Sequence, residues 1–91
     1  SVEYQQDDQQ QQVRVDCQVL AADHQLLLRE LFVAIWKRQA WPRQSMGSEQ
    51  WQRLADMLRD KAGSGVESLP GSVRAKKEGE SLWLTRPLEK R

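Results

Sequence analysis

The chain has 91 residues, which is enough for one small domain with one hydrophobic core. Hydrophobic residues make up 38% and charged residues 30%, a composition that fits a folded, soluble domain better than a disordered chain. The longest apolar run, 31–36, has six residues, far fewer than the roughly 20 that a membrane-spanning helix needs. One cysteine and one histidine exclude a disulfide framework and a Cys/His metal cluster. Length and composition therefore indicate a small module rather than a complete enzyme.

The net charge of +1 hides an uneven distribution of charged residues. Residues 1–36 contain two basic and six acidic side chains, whereas residues 37–91 contain twelve basic and seven acidic ones. An excess of positive charge in one half of a chain favours binding to a polyanion such as RNA. Because this excess is small for a dedicated nucleic-acid-binding protein, any contact with RNA or DNA is expected to be local.

The chain begins with a polar segment of low complexity. Residues 1–12 contain the run QQDDQQQQ, which offers no apolar side chains for a core. The segment also lacks the charged and apolar regions of a signal peptide. We expect residues 1–12 to be a disordered linker or tail.

Two interpretations compete for the next segment. Apolar residues alternate with polar ones in a pattern typical of a strand, at Val13, Val15, Cys17 and Val19. Asp16 is also a suitable N-cap for a short helical turn over 17–22 that leads into the first main helix. We favour the helical turn, and the strand remains the alternative.

Two amphipathic helices are predicted next. The first, about 24–39, follows the N-cap Asp23 and ends before Pro42, and its apolar residues are Leu27, Leu28, Leu31, Phe32, Ile35 and Trp36. The second, about 49–62, follows the N-cap Ser48 and ends at Gly63, and its apolar face consists of Trp51, Leu54, Ala55 and Leu58.

The hydrophobic period changes to two after Gly65, which predicts strands over 66–85. Pro70-Gly71 is a turn signal, and Val73 and Ala75 alternate with basic residues. These elements predict an α+β fold in which two helices precede an antiparallel hairpin or three-stranded sheet. The single domain is expected to span 13–86, with 87–91 as a tail.

The second half contains the only concentration of basic residues, which includes Arg74, Lys76, Lys77 and Arg86. Positive charges on one face of a hairpin can bind phosphates without reading a base sequence. The alternative is a solvated outer face whose charge is balanced by Glu78 and Glu80.

Aromatic and catalytic residue types complete the list of candidates. Trp36 and Trp51 lie on apolar helix faces and are expected in the core. Trp83 is either an exposed platform for a base or a side chain packed against another layer. The sequence favours neither of these alternatives for Trp41. Cys17 is expected to be a buried small hydrophobe, and we find no catalytic constellation around it or His24.

One long segment resembles a known family. Residues 15–85 contain, in order, DHQLLLRELFVAIWKRQAWP, SEQWQRLADMLRD and VESLPGSVRAKKEGESLWLTR. This order resembles the region that follows the catalytic domain in bacterial tRNA(Ile)-lysidine synthetases, and it covers about three quarters of the chain. Leu69-Pro70-Gly71 corresponds to the family's turn, 73–77 to its basic strand, and Leu82-Trp83-Leu84 to its closing strand.

The resemblance implies a non-catalytic tRNA-recognition domain. The full enzymes use ATP to adenylate the wobble cytidine of an isoleucine tRNA with a CAU anticodon and then attach lysine. Catalysis belongs to an N-terminal domain with a Ser-Gly-Gly-x-Asp-Ser loop, which these residues lack. We therefore expect no cofactor in this segment, ATP and Mg²⁺ in the parent enzyme, and a cytoplasmic location without membrane contact. The implied partners are tRNA and the chain's own catalytic domain, and a homodimer belongs to the rival hypothesis of self-association.

The chain departs from the family pattern in two places. Ser72 replaces the second glycine of the turn, a change that is tolerable if this residue does not need a positive φ. The first helix has only Arg29 in its first two turns, whereas the family's helix is rich in arginine. This departure moves the expected RNA contacts to Lys37, Arg38, Arg43 and the hairpin. The rival hypothesis is a module that packs on a catalytic domain or self-associates through Trp83 and neighbouring apolar surface.

Overall fold

The computed structural model describes residues 2–17, 25–59 and 64–88. Within them, two helices pack on a five-stranded antiparallel sheet whose strand order is β1-β2-β5-β4-β3. The elements are β1 (Val2–Gln6), β2 (Gln10–Asp16), α1 (Gln25–Gln39), α2 (Ser48–Arg59), β3 (Ser64–Leu69), β4 (Val73–Glu78) and β5 (Ser81–Pro87). The predicted α+β class is confirmed, but the sheet has five strands where at most three were expected.

The two additional strands come from the N-terminal segment. Most of 1–12, predicted to be disordered, forms the hairpin β1–β2, in which Tyr4 pairs with Val13. Asp7 stabilises the turn because its carboxylate accepts hydrogen bonds from the backbone N–H groups of Gln9 and Gln10 at 2.7 and 2.9 Å. The prediction was wrong because strand pairing uses backbone groups, which glutamine provides as well as any other residue.

The competing interpretations of the next segment are partly settled. Residues 13–16 belong to β2, so the strand interpretation is correct there, whereas Cys17, the first residue of the favoured turn, is helical. The backbone N–H of Cys17 donates to the carbonyl oxygen of Glu80 at 2.8 Å. The rest of the predicted turn, 18–22, and the cap Asp23 lie outside the described residues. At the other end, Pro87 belongs to β5 and the N–H of Leu88 donates to the Gln9 carbonyl, so the ordered domain extends into the predicted tail.

Both helices form close to their predicted positions. α2 buries the four predicted residues Trp51, Leu54, Ala55 and Leu58, and its predicted end at 60–63 lies outside the described residues. α1 ends in a Schellman motif, in which the N–H of Trp41 donates to the Trp36 carbonyl and that of Ala40 to the Lys37 carbonyl. Ala40 takes the left-handed conformation there, with φ 58°. Leu27, predicted on the apolar face of α1, is 56% exposed.

The two helices cover one face of the sheet, which we call the covered face, and leave the opposite open face uncovered by either helix. Alternation along β4 separates the two faces, with Val73, Ala75 and Lys77 buried and Arg74, Lys76 and Glu78 exposed. Trp36 is the centre of the core and makes edge-to-face contacts with Trp41 and Trp51, at centroid distances of 5.0 and 5.3 Å. No helix in the described part of the chain has the length and apolar character needed to cross a membrane.

The turn between β3 and β4 packs against the loop after α1. Gly71 has φ 82°, and a Cβ atom at this position would lie 2.6 Å from the Pro42 Cγ atom. Arg86 also contacts this turn, since its Nε donates a hydrogen bond to the Gly71 carbonyl at 2.9 Å. Ser72 has φ 65°, so this residue does adopt the positive φ that would suit the family's glycine. The left-handed conformation costs a residue with a Cβ atom about 1 kcal/mol.

Candidate nucleic-acid interface

The open face presents one row of side chains across all five strands. Cross-strand pairing aligns Glu3 of β1, Arg14 of β2, Trp83 of β5, Lys76 of β4 and Val66 of β3. Residues directly opposite each other on neighbouring strands have Cβ atoms about 5 Å apart, so their side chains touch. The row therefore places one large aromatic ring between two cations.

Trp83 lies at the centre of this row. Its side chain is half-buried, between Arg14 on one side and Lys76 on the other. Within the described residues the indole N–H has no hydrogen-bond partner. Trp83 lies on the face opposite α1 and α2 and is half-buried, so it is neither fully exposed nor packed against these two helices.

Each cation beside Trp83 makes an ion pair that is at least partly exposed to solvent. Arg14 pairs with Glu3 at 3.2 Å and donates a hydrogen bond to the Ser81 hydroxyl at 3.0 Å. Lys76 pairs with Glu78 at 3.2 Å. Such exposed ion pairs contribute between 0 and about 1 kcal/mol each, so a phosphate can compete for these cations.

Lys77, predicted to bind phosphate, is part of the core. Its side chain is 5% exposed, and its ammonium group donates to the carbonyl oxygens of Met57 and Leu58 at 2.7 and 3.2 Å. Side chains alternate between the two faces of a strand, so Lys76 and Lys77 cannot both face solvent on one side of the sheet. Lys77 is therefore a structural residue that stabilises the C-terminal end of α2.

The other predicted cations lie outside the open face, with one exception. Arg38 stacks over the Tyr4 ring at 4.0 Å on the covered side, and Arg86 donates a hydrogen bond to the Gly71 carbonyl. Lys37 and Arg43 are exposed, in the last turn of α1 and in the loop that follows it. The exception is Arg74, which together with Lys76 points outward from β4.

Arg14 is the residue of this face that the sequence analysis missed. The alternation of Val13, Arg14 and Val15 contained the necessary signal, because two buried valines place the residue between them on the opposite face. This signal was not used because a helical turn after Asp16 was favoured over a strand.

The open face combines an aromatic ring with cationic side chains. Within the described residues, no group of three or more His, Cys, Asp or Glu side chains is arranged to hold a metal ion. An exposed ring with adjacent cations can stack on a base and neutralise phosphates. Comparison of the chain with protein-family models, curated proteins and solved structures finds no match.

Proposed function

We propose that this domain binds single-stranded RNA on its open face. The observation that carries the proposal is the position of Trp83, half-exposed between Arg14 and Lys76. An unpaired base stacks on the indole ring, and the two cations neutralise the phosphates beside it. Duplex RNA cannot use the ring in this way because its bases are already stacked on one another.

The RNA that we propose is tRNA, which has unpaired bases in its loops. The resemblance to the region after the catalytic domain of tRNA(Ile)-lysidine synthetases supports this choice. In that case the domain orients an isoleucine tRNA for a separate catalytic domain, which would supply the ATP site. The domain itself would contribute recognition alone.

Titration of fluorescently labelled tRNA at low salt tests the proposal. Base stacking contributes about 1–3 kcal/mol, so Trp83→Ala should weaken binding by roughly 5- to 150-fold, and Trp83→Phe by less. Lys76→Ala should weaken binding and reduce the slope of log K against log salt by about 1. Arg53→Ala is a matched control, because Arg53 is an exposed cation on α2 paired with Glu49.

Two results would contradict the proposal. One is the absence of tRNA binding at low salt by a chain whose circular dichroism shows it to be folded. The other is equal affinity of the wild-type and Trp83→Ala chains. Thermal unfolding of each variant separates a loss of contact from a loss of structure.

Exposed Val66 favours a second candidate function, the docking of another protein. Val66 is 59% exposed on the edge strand β3, next to Lys76 on the open face. Among the described strands, one edge of β3 is free, and its backbone N–H and C=O groups can bond to a strand of a catalytic domain or of a second copy, which Val66 would contact with its apolar side chain. Sedimentation velocity of the chain, alone and with the catalytic domain, should then show a complex that Val66→Lys abolishes.

A further inference from the structure

We infer that a depression next to Trp83 on the open face binds a phosphate group of the RNA strand whose base stacks on the ring. This inference rests on the proposed function and specifies where the strand runs. The depression has a volume of about 460 Å³ and lies beside the β3–β4 turn. Its polar lining consists of Arg74, Gln10 and the hydroxyl-bearing residues Ser68, Ser72 and Thr85, and the rest of the lining is apolar (Leu69, Val73 and Pro87).

The lining of this depression suits an anion. A guanidinium group and three hydroxyls are hydrogen-bond donors, and none of the lining residues has a carboxylate. Two other surface depressions have mixed charge, one with Asp56 and Glu67 in its lining and one with Glu30. A phosphate would be repelled by those carboxylates and not by the lining beside Trp83.

Arg74 is available to a ligand. It is exposed, and within the described residues it makes no ion pair or hydrogen bond. Arg14 and Lys76, by contrast, are each paired with a glutamate. An arginine without a protein partner can direct two parallel N–H groups at two oxygens of one phosphate.

The register places this site one step from the stacking platform. Thr85, Arg74 and Ser68 form a row across three strands, next to the row of Trp83 and Lys76. Adjacent rows on one face are two residues apart, which is about 7 Å along the strand. The sugar and phosphate of a single nucleotide can bridge this distance, so one strand can occupy both positions.

Ser72 supplies an independent observation. It holds a left-handed conformation, with φ 65°, in which a glycine would be unstrained. Its hydroxyl-bearing side chain nevertheless lines the depression beside Arg74. Strained residues are concentrated at functional sites, and a phosphate contact gives this serine a function that glycine could not provide.

The experiment measures binding of single-stranded oligouridylate to five chains, which are the wild type, Trp83→Ala and three further variants. Arg74→Ala should bind about tenfold more weakly and lower the salt slope by about 1, whereas Arg29→Ala, the same change on α1, should match wild type. Ser72→Gly should raise the melting temperature by about 4 °C and still lower the affinity several-fold. A purely structural serine would give the higher melting temperature with unchanged affinity.

Failure of the phosphate site can be distinguished from failure of the proposed function. If Trp83→Ala loses binding while Arg74→Ala and Ser72→Gly bind as wild type does, RNA binding stands and the phosphate site is wrong. Titration with inorganic phosphate, followed by NMR, examines the site without RNA. Amide shifts confined to 68, 72, 74 and 85 support it, and their absence together with an unchanged Arg74→Ala affinity overturns it.

Discussion

The ammonium group of Lys77 donates a hydrogen bond to the carbonyl oxygen of Met57 at 2.7 Å, which links the middle of the sheet to the end of α2. A second bond, to the Leu58 carbonyl at 3.2 Å, uses another of its protons. The last carbonyl groups of a helix have no partners within the helix and form the negative end of its dipole. The buried ammonium group of Lys77 gives these carbonyl groups hydrogen-bond donors and places a positive charge at the negative end of the dipole.

Replacement of this lysine should destabilise the fold. Lys77→Met retains an apolar stem of similar length but leaves the two carbonyl groups without their donor, so we expect a loss of about 1–3 kcal/mol. Urea unfolding measures the change. Lys76→Met is the matched control, because Lys76 is exposed and its ion pair with Glu78 should contribute less than about 1 kcal/mol. Equal stability of the two variants would contradict the structural role of Lys77.

Three glycines should respond differently to replacement by alanine. Gly71→Ala combines a left-handed φ of 82° with a Cβ atom 2.6 Å from Pro42, so its loss should exceed about 2 kcal/mol. Gly79→Ala has φ 57° and open space, and should lose about 1 kcal/mol. Gly65→Ala has open space without a left-handed φ and should change stability least. Thermal unfolding gives the order, and any other ranking contradicts this description of the β3–β4 turn.

The sequence predicted the elements with strong apolar patterns and failed at the N-terminal hairpin, whose residues are mostly polar. The apolar face of α2 was read directly from its spacing, because each side chain packs where the helical period places it. The hairpin β1–β2 has no comparable signal, since Gln5, Gln6, Gln11 and Gln12 provide ladder hydrogen bonds with their backbones alone. Its position depends on β5, which pairs with β2 across almost the whole length of the chain.

In the candidate site, too, the residues that follow a local pattern were predicted and those brought together by strand pairing were not. Arg74 and Lys76 were correctly singled out as an exposed basic pair, because the alternation of β4 is local. Lys77 was grouped with them by adjacency in sequence, although the period of two already assigned it to the opposite face. Arg14 and Trp83 become neighbours only through the pairing of β2 with β5. No local pattern connects two residues separated by most of the chain.

Acrylamide quenching should separate Trp83 from the other three tryptophans. Trp36, Trp41 and Trp51 are at most 5% exposed and pack against one another in the core. Trp83 is half-buried on the open face, so it should account for most of the quenchable fluorescence. Trp83→Phe should therefore lower the quenching constant sharply, while Trp41→Phe should leave it nearly unchanged. Equal quenching of wild type and Trp83→Phe would place Trp83 in a covered position.

Cys17 should make stability fall in alkaline solution. Burial raises the pKa of the Cys17 thiol above its ordinary value of 9.0, and Asp16 raises it further, whereas Lys77 opposes the shift. A raised folded-state pKa means that the native chain keeps the proton longer than the unfolded chain. The contribution to stability is therefore fully present below pH 9.0 and is lost as the pH rises through the folded-state pKa.

The comparison of wild type with Cys17→Ala isolates this effect, because lysines and tyrosine titrate in both chains. The difference in the free energy of unfolding, wild type minus Cys17→Ala, should stay constant below pH 9.0 and fall above it. Urea unfolding at a series of pH values measures that difference. A difference that rises with pH would mean that the thiolate is favoured in the folded chain. The field of the nearby Lys77 ammonium group would then outweigh desolvation, and the native thiol would react quickly with iodoacetamide instead of slowly.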